Sequence, residues 1–129
     1  MKLACTLVLL TASGVASAAD VVDGVPRQFI GEWRSSVSAC GTWDDDMALR
    51  IERHHIRFYE SDGPVLAVAV RDQRELALIV ELTGEGETWL TTTQFTLSPD
   101  QQTLTSVSDS GTSFARHRCP AAASAPARD

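Results

Sequence analysis

The chain contains a series of short segments in which apolar and polar residues alternate. In residues 76–82 leucine or valine stands at every second position, and Gly84-Glu85-Gly86 follows at once. Residues 89–97 repeat the alternation on one face. A period of two is typical of a β-strand with one buried side, and no long stretch has the 3.6-residue period of a helix. The chain therefore predicts an all-β protein.

Turn signals divide the chain at about the 8–12-residue spacing of antiparallel β domains. Two of them are Ser61-Asp62-Gly63-Pro64 and Ser98-Pro99-Asp100. They separate seven or eight predicted strands, the first at Gly31–Ser36 and the last a hairpin of Thr103–Ser108 with Thr112–Arg118. Because so many short strands usually remove their exposed edges by closing on themselves, we predict a small, closed or nearly closed, antiparallel up-and-down barrel.

The first 18 residues have the layout of a secretory signal peptide. Lys2 supplies the positive charge, residues 3–10 form a short apolar run, and Ala16-Ser17-Ala18 provides a small-residue cleavage site. The run is shorter than the roughly 20 apolar residues of a membrane-spanning helix. We therefore predict removal of residues 1–18, a single domain over residues 19–119, a flexible tail over residues 120–129, and a periplasmic or secreted location. The polar lead-in Asp20–Pro26 at the start of the domain is also expected to be mobile.

Cleavage would leave two cysteines, Cys40 and Cys119, because Cys5 lies in the apolar run. Paired cysteines are usual in exported proteins of an oxidising compartment. A metal or redox site is disfavoured, because the two residues are far apart and neither belongs to a Cys-x-x-Cys pair. We predict a Cys40–Cys119 disulfide.

The charge of the chain bears on its partners. Asp and Glu number 17 against 11 Lys and Arg, for a net charge of −6. Removal of Lys2 leaves 10 arginines and a charge of −7. An excess of acid repels the phosphate backbone, so nucleic acid is not expected as a partner.

Two groups of residues are candidate metal ligands. Glu52, His54 and His55 lie close in sequence, but adjacent residues of a strand point to opposite faces, so the two histidines serve one site only if a turn intervenes. Asp44-Asp45-Asp46 could offer oxygens to calcium, although the run lacks the spaced acids and glycine of an EF-hand. We predict no metal site, and interpret the aspartates as an exposed acidic loop that meets a basic partner.

Four further positions are candidates for a partner or ligand surface. Glu85 and Glu87 lie at a hairpin tip, and Trp89 begins the next strand. Paired carboxylates can hydrolyse glycosides, but that reaction needs a cleft and one raised pKa, whereas a hairpin tip is solvated. Tyr59 is predicted to face away from Phe58 and to be partly exposed, as aromatic residues of binding surfaces are. No nucleophile elbow or phosphate loop accompanies these residues, so we predict no catalytic site.

The residues Phe29-Ile30-Gly31-Glu32-Trp33 at the start of the first strand resemble the Gly-x-Trp opening of lipocalins and other calycin barrels. The resemblance implies that Trp33 closes one end of the barrel and that an arginine near the end of the domain, Arg116 or Arg118, stacks on it. An arginine over a tryptophan face is favourable.

A longer resemblance covers most of the chain after residue 18. Gly31-x-Trp33, Cys40, Phe58-Tyr59-Glu60-Ser61-x-Gly63, Gly84-Glu85-Gly86-Glu87-Thr88-Trp89 and Arg118-Cys119 resemble a functionally uncharacterised family of small exported proteins of Gram-negative bacteria. The resemblance implies export, paired cysteines and a compact β fold. It implies no activity and no catalytic residue.

Together these patterns favour an exported, non-enzymatic binding protein that presents acidic loops to a protein partner, as an inhibitor or accessory module does. The alternative is a lipocalin-like carrier of a small hydrophobic ligand. We rank it second because the predicted inward residues Leu78, Val80, Trp89 and Phe95 are bulky, and side chains can fill an eight-stranded barrel. We expect a monomer without a cofactor or a membrane span.

Overall fold

The computed structural model describes Gly14 and residues 17–121, which form nine β-strands and two short 3₁₀ helices, Arg27–Phe29 and Val37–Ala39. The described residues contain no α-helix. The strands are β1 (Asp20–Val22), β2 (Gly31–Arg34), β3 (Leu49–Ile51), β4 (His55–Phe58), β5 (Asp62–Arg71), β6 (Glu75–Gly84), β7 (Glu87–Leu97), β8 (Thr103–Val107) and β9 (Ser113–Arg118).

Strands β2 to β9 form a closed, antiparallel, up-and-down barrel of eight strands. Each strand pairs with the next in sequence, and β9 closes the circle through the pairs Trp33↔Arg118 and Arg34↔His117. Strand β1 lies outside this circle and pairs with the second half of β5, beyond the region where β4 pairs with β5. The predicted all-β barrel is therefore confirmed, with one extra strand.

The register of the long hairpins explains the period of two in the sequence. Residues of β6 at even positions pair with inward residues of β7, as in Leu76↔Phe95 and Leu82↔Trp89. Directly paired residues lie on the same face of a sheet, so these side chains point together into the barrel. The predicted inward set of Leu78, Val80, Trp89 and Phe95 shares this face, although Trp89, near its open end, is 40% exposed.

The interior of the barrel is filled by large apolar side chains. Every strand of the barrel except β9 contributes at least one buried apolar residue, and the segment before β2 adds two more. The largest fully buried side chains are Trp33, Phe29, Leu49, Ile51, Ile56, Leu76, Leu78, Leu97, Leu104, Val25 and Val80. Removal of this apolar area from water is the main stabilisation of the fold.

Arg118 closes one end of the barrel. Its guanidinium carbon lies 4.3 Å from the centre of the Trp33 ring, and its nitrogens donate to the carbonyl oxygens of Gln28, Ile30 and Gln101. Arg118 is therefore the arginine that stacks on Trp33. Arg116 instead donates to the Met47 carbonyl and to Ser106 Oγ.

The predicted disulfide is present, with Cys40 and Cys119 joined across a sequence separation of 79 residues. Cys119 directly follows β9, and its backbone N–H donates to the carbonyl of Glu32 in β2. The bridge therefore ties the connection 35–48 to the seam that closes the barrel. The chain-entropy model assigns about 4 kcal/mol to a bridge of this span.

Two local predictions were wrong. The lead-in to the domain is not an unstructured segment, because Asp20–Val22 forms β1 and Val25 is buried in the core. The turn expected at Ser61-Asp62-Gly63-Pro64 lies earlier, at residues 59–61, and β5 begins at Asp62. Strand pairing of Gly63 and Pro64 with β4 outweighs their turn preference.

The ends of the chain are largely outside the described residues. The predicted signal segment has only Gly14, Ser17 and Ala18 within them, and the predicted tail only Pro120 and Ala121. Among the described residues, no helical segment has the length and apolar character needed to cross a bilayer.

Candidate functional site

Four connections of the barrel lie at the same end, because antiparallel strands alternate in direction. They are residues 35–48, 59–61, 85–86 and 108–112, and we call this the acidic end. Together they carry Asp44, Asp45, Asp46, Glu60, Glu85 and Asp109, with no arginine or histidine. The connections of the opposite end include Arg27, Arg53 and Arg74. The topology thus gathers acids that are distant in sequence.

Two of the acidic connections are close neighbours. A Cβ on Gly84 would lie 2.5 Å from the carbonyl oxygen of Glu60, so the start of the β6–β7 turn packs against the β4–β5 turn. The β6–β7 turn has positive φ at both Glu85 and Gly86, which is the two-residue turn that fits the twist of a hairpin. The structure thus places the exposed Glu85 and Glu87 beside the turn that carries Tyr59, which is 44% exposed.

Asp45 does not belong to this exposed surface. It is buried, and its carboxylate accepts hydrogen bonds from the backbone N–H and hydroxyl of Ser35 and from the backbone N–H of Met47. Burial alone would raise the pKa of Asp45, but these hydrogen bonds and nearby Arg34 lower it below its ordinary value. The expectation that all three aspartates are exposed to a partner was therefore wrong for Asp45, whose carboxylate binds the two ends of the connection 35–48 together. Asp44 and Asp46 are exposed.

The histidines do not converge on one site. His54 Nε2 lies 3.7 Å from a carboxylate oxygen of Asp23, and His55 Nε2 lies 2.9 Å from a carboxylate oxygen of Asp62. All four side chains are more than two-fifths exposed. Within residues 17–121 and Gly14, no three His, Cys, Asp or Glu side chains are grouped as metal ligands.

The structure reveals an apolar surface that the sequence reasoning missed. On the outer side of β5, β6 and β7, outward positions carry exposed apolar residues where water would favour polar ones. We call this surface, with the neighbouring Val21 of β1, the bare face. Its apolar members are Val21, Leu66, Ala67, Ala69, Ala77, Ile79 and Leu90. In the sequence, this surface is indicated only by the apolar residues that stand between the inward positions of these strands.

The bare face is concave. A groove of about 320 Å³ runs over Val21, Ala67 and Ile79, and its surface is almost entirely apolar. A second groove of about 550 Å³ shares Ala69 and Ala77 with the first and continues towards Arg71 and Asp109 with a more polar lining. A contiguous apolar surface with a polar rim is characteristic of interaction sites.

The opposite outer face is organised differently. On β2, β3 and β4, outward positions carry Glu32, Arg34, Arg50 and Arg57, and the connection 35–48 places Trp43 over them. We call these five residues the covered face. Sequence reasoning missed it, although the charged residues alternate with the buried Trp33, Leu49 and Ile56.

Glu32 and Arg34 are buried, and the carboxylate of Glu32 contacts both Arg34 and Arg50. Glu32 Oε1 accepts a hydrogen bond from Arg50 Nε, and Oε2 lies 2.8 Å from Arg34 Nη1 as an ion pair without hydrogen-bond geometry. Arg34 also donates to the carbonyls of Thr42 and Trp33, so its guanidinium joins the covering connection to β2.

Comparison of the chain with protein-family models, with curated proteins and with solved structures finds no match.

Proposed function

We propose that this protein is an exported, non-enzymatic binding protein that docks a protein partner along the bare face, with the acidic end meeting basic residues of that partner. The observation that carries the proposal is the apolar groove lined by Val21, Ala67 and Ile79, beside which Leu90 is exposed. Apolar residues at outward strand positions contribute little to the core, so a molecule that covers them gains the free energy of removing their surface from water.

The charge of the acidic end defines the chemistry of the partner. The bare face continues along β6 and β7 to the hairpin tip that carries Glu85 and Glu87, and Leu90 pairs with Glu81 on the way. A partner that covers this surface meets apolar side chains first and carboxylates beside them. Such a partner has an apolar ridge flanked by lysine or arginine, and the complementary charge speeds association at low salt.

Export is part of the same proposal. The segment Met1–Ala18 has the layout of a signal peptide, and the Cys40–Cys119 disulfide suits an oxidising compartment. The resemblance to small exported proteins of Gram-negative bacteria points the same way. The packed interior does not favour the alternative of a hydrophobic-ligand carrier, because Val80, Leu78 and Leu76 fill the space that a ligand would need.

Site-specific photo-crosslinking in the producing cell tests the docking face. A photoreactive residue replaces Ile79 on the bare face or, as the control, Ala115, an exposed apolar residue of β9 that belongs to neither the bare face nor the acidic end. We expect one dominant protein adduct from position 79, little from position 115, and a severalfold loss of the adduct when Glu85 and Glu87 are both changed to Lys. Mass spectrometry of the adduct should place basic residues next to the cross-linked apolar segment.

Three outcomes contradict the proposal. Adducts of equal yield at both positions would show that the bare face is not selective. An adduct with a second copy of this chain would make the bare face a self-association surface. An adduct whose yield does not respond to the charge reversal would remove the acidic end from the interface.

A further inference from the structure

The covered face contains an arrangement that local strand rules disfavour. Arg50 of β3 and Arg57 of β4 are direct partners across an antiparallel pair, so their side chains share the outer face. Like charges at directly opposite positions destabilise a sheet. Sites where a sequence breaks a local rule are frequently functional.

Only part of this positive charge is balanced within the cluster. Glu32 is the carboxylate that pairs with Arg34 and Arg50, which leaves three guanidiniums against one carboxylate. Two further carboxylates lie near the cluster but are held by other partners. Asp62 lies opposite Arg57 on β5 and is hydrogen-bonded to His55 Nε2, and Asp45 lies near Arg34 but accepts its hydrogen bonds from Ser35 and Met47. Neither carboxylate is an ion-pair partner of Arg50 or Arg57.

Trp43 orients the arginines. The guanidinium carbon of Arg57 lies 3.9 Å from the centre of the indole ring, that of Arg34 lies 4.6 Å away, and that of Arg50 lies 5.7 Å away. Stacking on an aromatic face holds a guanidinium by its plane and leaves the N–H groups at its edge available for hydrogen bonds.

The three arginines are not equivalent. Arg34 is buried, and Glu32 and backbone carbonyls occupy its nitrogens. Arg50 uses Nε on Glu32, and its side chain is 27% exposed. Arg57 is exposed and, among the described residues, makes its ring contact with Trp43 but no hydrogen bond or ion pair. Among the described residues, Nη1 and Nη2 of Arg50 and the three guanidinium nitrogens of Arg57 therefore have no hydrogen-bonding partner and are available to donate to an anion.

We propose that Arg50 and Arg57, held by Trp43 and Glu32, form a binding site for a phosphate monoester. A single arginine edge matches a carboxylate, whereas two neighbouring guanidiniums offer more donors and more charge than a carboxylate can use. A dianionic phosphoryl group with three terminal oxygens accepts from both. This site lies on the covered face and does not depend on the protein-docking proposal.

Titration with inorganic phosphate, followed by NMR, tests the site. The signals to follow are the Nε–H groups of Arg50 and Arg57 and the indole N–H of Trp43, the last assigned with Trp43→Phe. We expect saturable shifts of these signals together, and weaker shifts with acetate at the same ionic strength. Arg57→Gln should weaken phosphate binding at least tenfold, because it removes both a charge and a donor edge.

Two variants provide the controls. Arg27→Gln removes the same charge from an exposed arginine at the opposite end and should leave phosphate binding within twofold. Arg57→Lys keeps the charge but not the planar edge, and should still lose severalfold in affinity. Shifts that fail to saturate would overturn the proposal, as would equal losses for Arg27→Gln and Arg57→Gln or full binding by Arg57→Lys.

A second arm identifies the source of the phosphate. Vesicles of phosphatidylcholine with and without phosphatidic acid present a lipid phosphate monoester. Sedimentation with the phosphatidic acid vesicles alone, lost in Arg57→Gln, assigns the site to a lipid headgroup. Binding of inorganic phosphate without such sedimentation assigns it to a soluble phosphate ester, and binding in neither arm overturns the proposal.

Discussion

The two outer faces of this barrel differ in what covers their outward side chains. Strands β2 to β4 are three or four residues long, and the connection 35–48 folds across their outer side under the restraint of the disulfide. Strands β5 to β7 are ten or eleven residues long, and their outward apolar residues are exposed. One face is covered by the chain itself, and the other is left for solvent or a partner.

On both faces the residue types differ from what their exposure would predict, since charged residues are usually exposed and large apolar residues usually buried. The covered face buries charge in Glu32 and Arg34, and the bare face exposes leucine and isoleucine. Buried charges persist when they are paired and hydrogen-bonded, and Arg34 is paired with Glu32 and hydrogen-bonded to the backbone carbonyls of Trp33, Thr42 and Leu49. An exposed apolar face has no such internal compensation, which makes it the better candidate for an interface.

The largest expected difference between the faces follows from removal of one carboxylate. Glu32→Gln leaves buried Arg34 without its countercharge and should lower the free energy of unfolding by about 3 kcal/mol, as loss of one partner of a buried ion pair does. The matched change Glu81→Gln on the exposed outer side of β6 should alter it by less than about 0.5 kcal/mol. Urea unfolding of both variants measures the difference, and equal losses would show that the covered face is not held by its charges.

A smaller loss of stability is expected at Asp45, whose carboxylate joins Ser35 and Met47 at the two ends of the connection 35–48. The pKa of Asp45 is lower in the folded protein than its ordinary value of 3.8, so the ionised carboxylate stabilises the fold at pH values above 3.8. This contribution is lost as the pH falls from 3.8 through the lower pKa of the folded protein. Asp45→Asn should therefore cost about 1 kcal/mol at pH 7 and less in acid, because the wild-type carboxylate is protonated there.

Unfolding experiments from pH 7 down to pH 3 measure this convergence of variant and wild type. Asp46→Asn is the control, since Asp46 is exposed next to Asp45. A constant difference between Asp45→Asn and wild type across the range would contradict the role of the Asp45 charge.

The smallest effect on stability is expected on the bare face. Ile79→Thr should change the free energy of unfolding by less than about 0.5 kcal/mol, because the side chain is 44% exposed and threonine keeps the β-branch. Val80→Thr, at the adjacent fully buried position, should cost more than about 1 kcal/mol, because it buries a hydroxyl. Thermal unfolding compares the two, and a large loss for Ile79→Thr would mean that the bare face is structural.

Much of the barrel could be predicted from local pattern. The inward face of β6 and β7, the hairpin at Glu85-Gly86 and the pairing of Cys40 with Cys119 follow from alternation, turn chemistry and cysteine count. The strand Asp20–Val22 could not be predicted, because it has only three residues and its pairing partner is the far half of β5. The burial of Asp45 was equally hidden, because Asp44 and Asp46 have the same chemistry and only the fold brings Ser35 to one of them.

The candidate surfaces were harder to predict than the fold. The acidic residues were visible in the sequence, but their assembly at one end depends on which connections antiparallel pairing brings together. Trp43 lies in an irregular connection with no periodicity, so nothing local indicates that it stacks on Arg57. The apolar residues of the bare face lie in strands that are apolar at most positions, so only the closed barrel shows which of them are exposed.

The alternation of apolar residues predicts which side chains point into the barrel, because a strand reverses the direction of successive side chains whatever surrounds it. What lies over the outward side chains depends instead on contacts between distant parts of the chain. Positions such as Arg50 and Ile79 have the same place in the alternation, yet one is packed beneath Trp43 and the other is exposed. That difference depends on where the connection 35–48 is anchored by Cys119 and Arg34, and these contacts join residues that no local pattern relates.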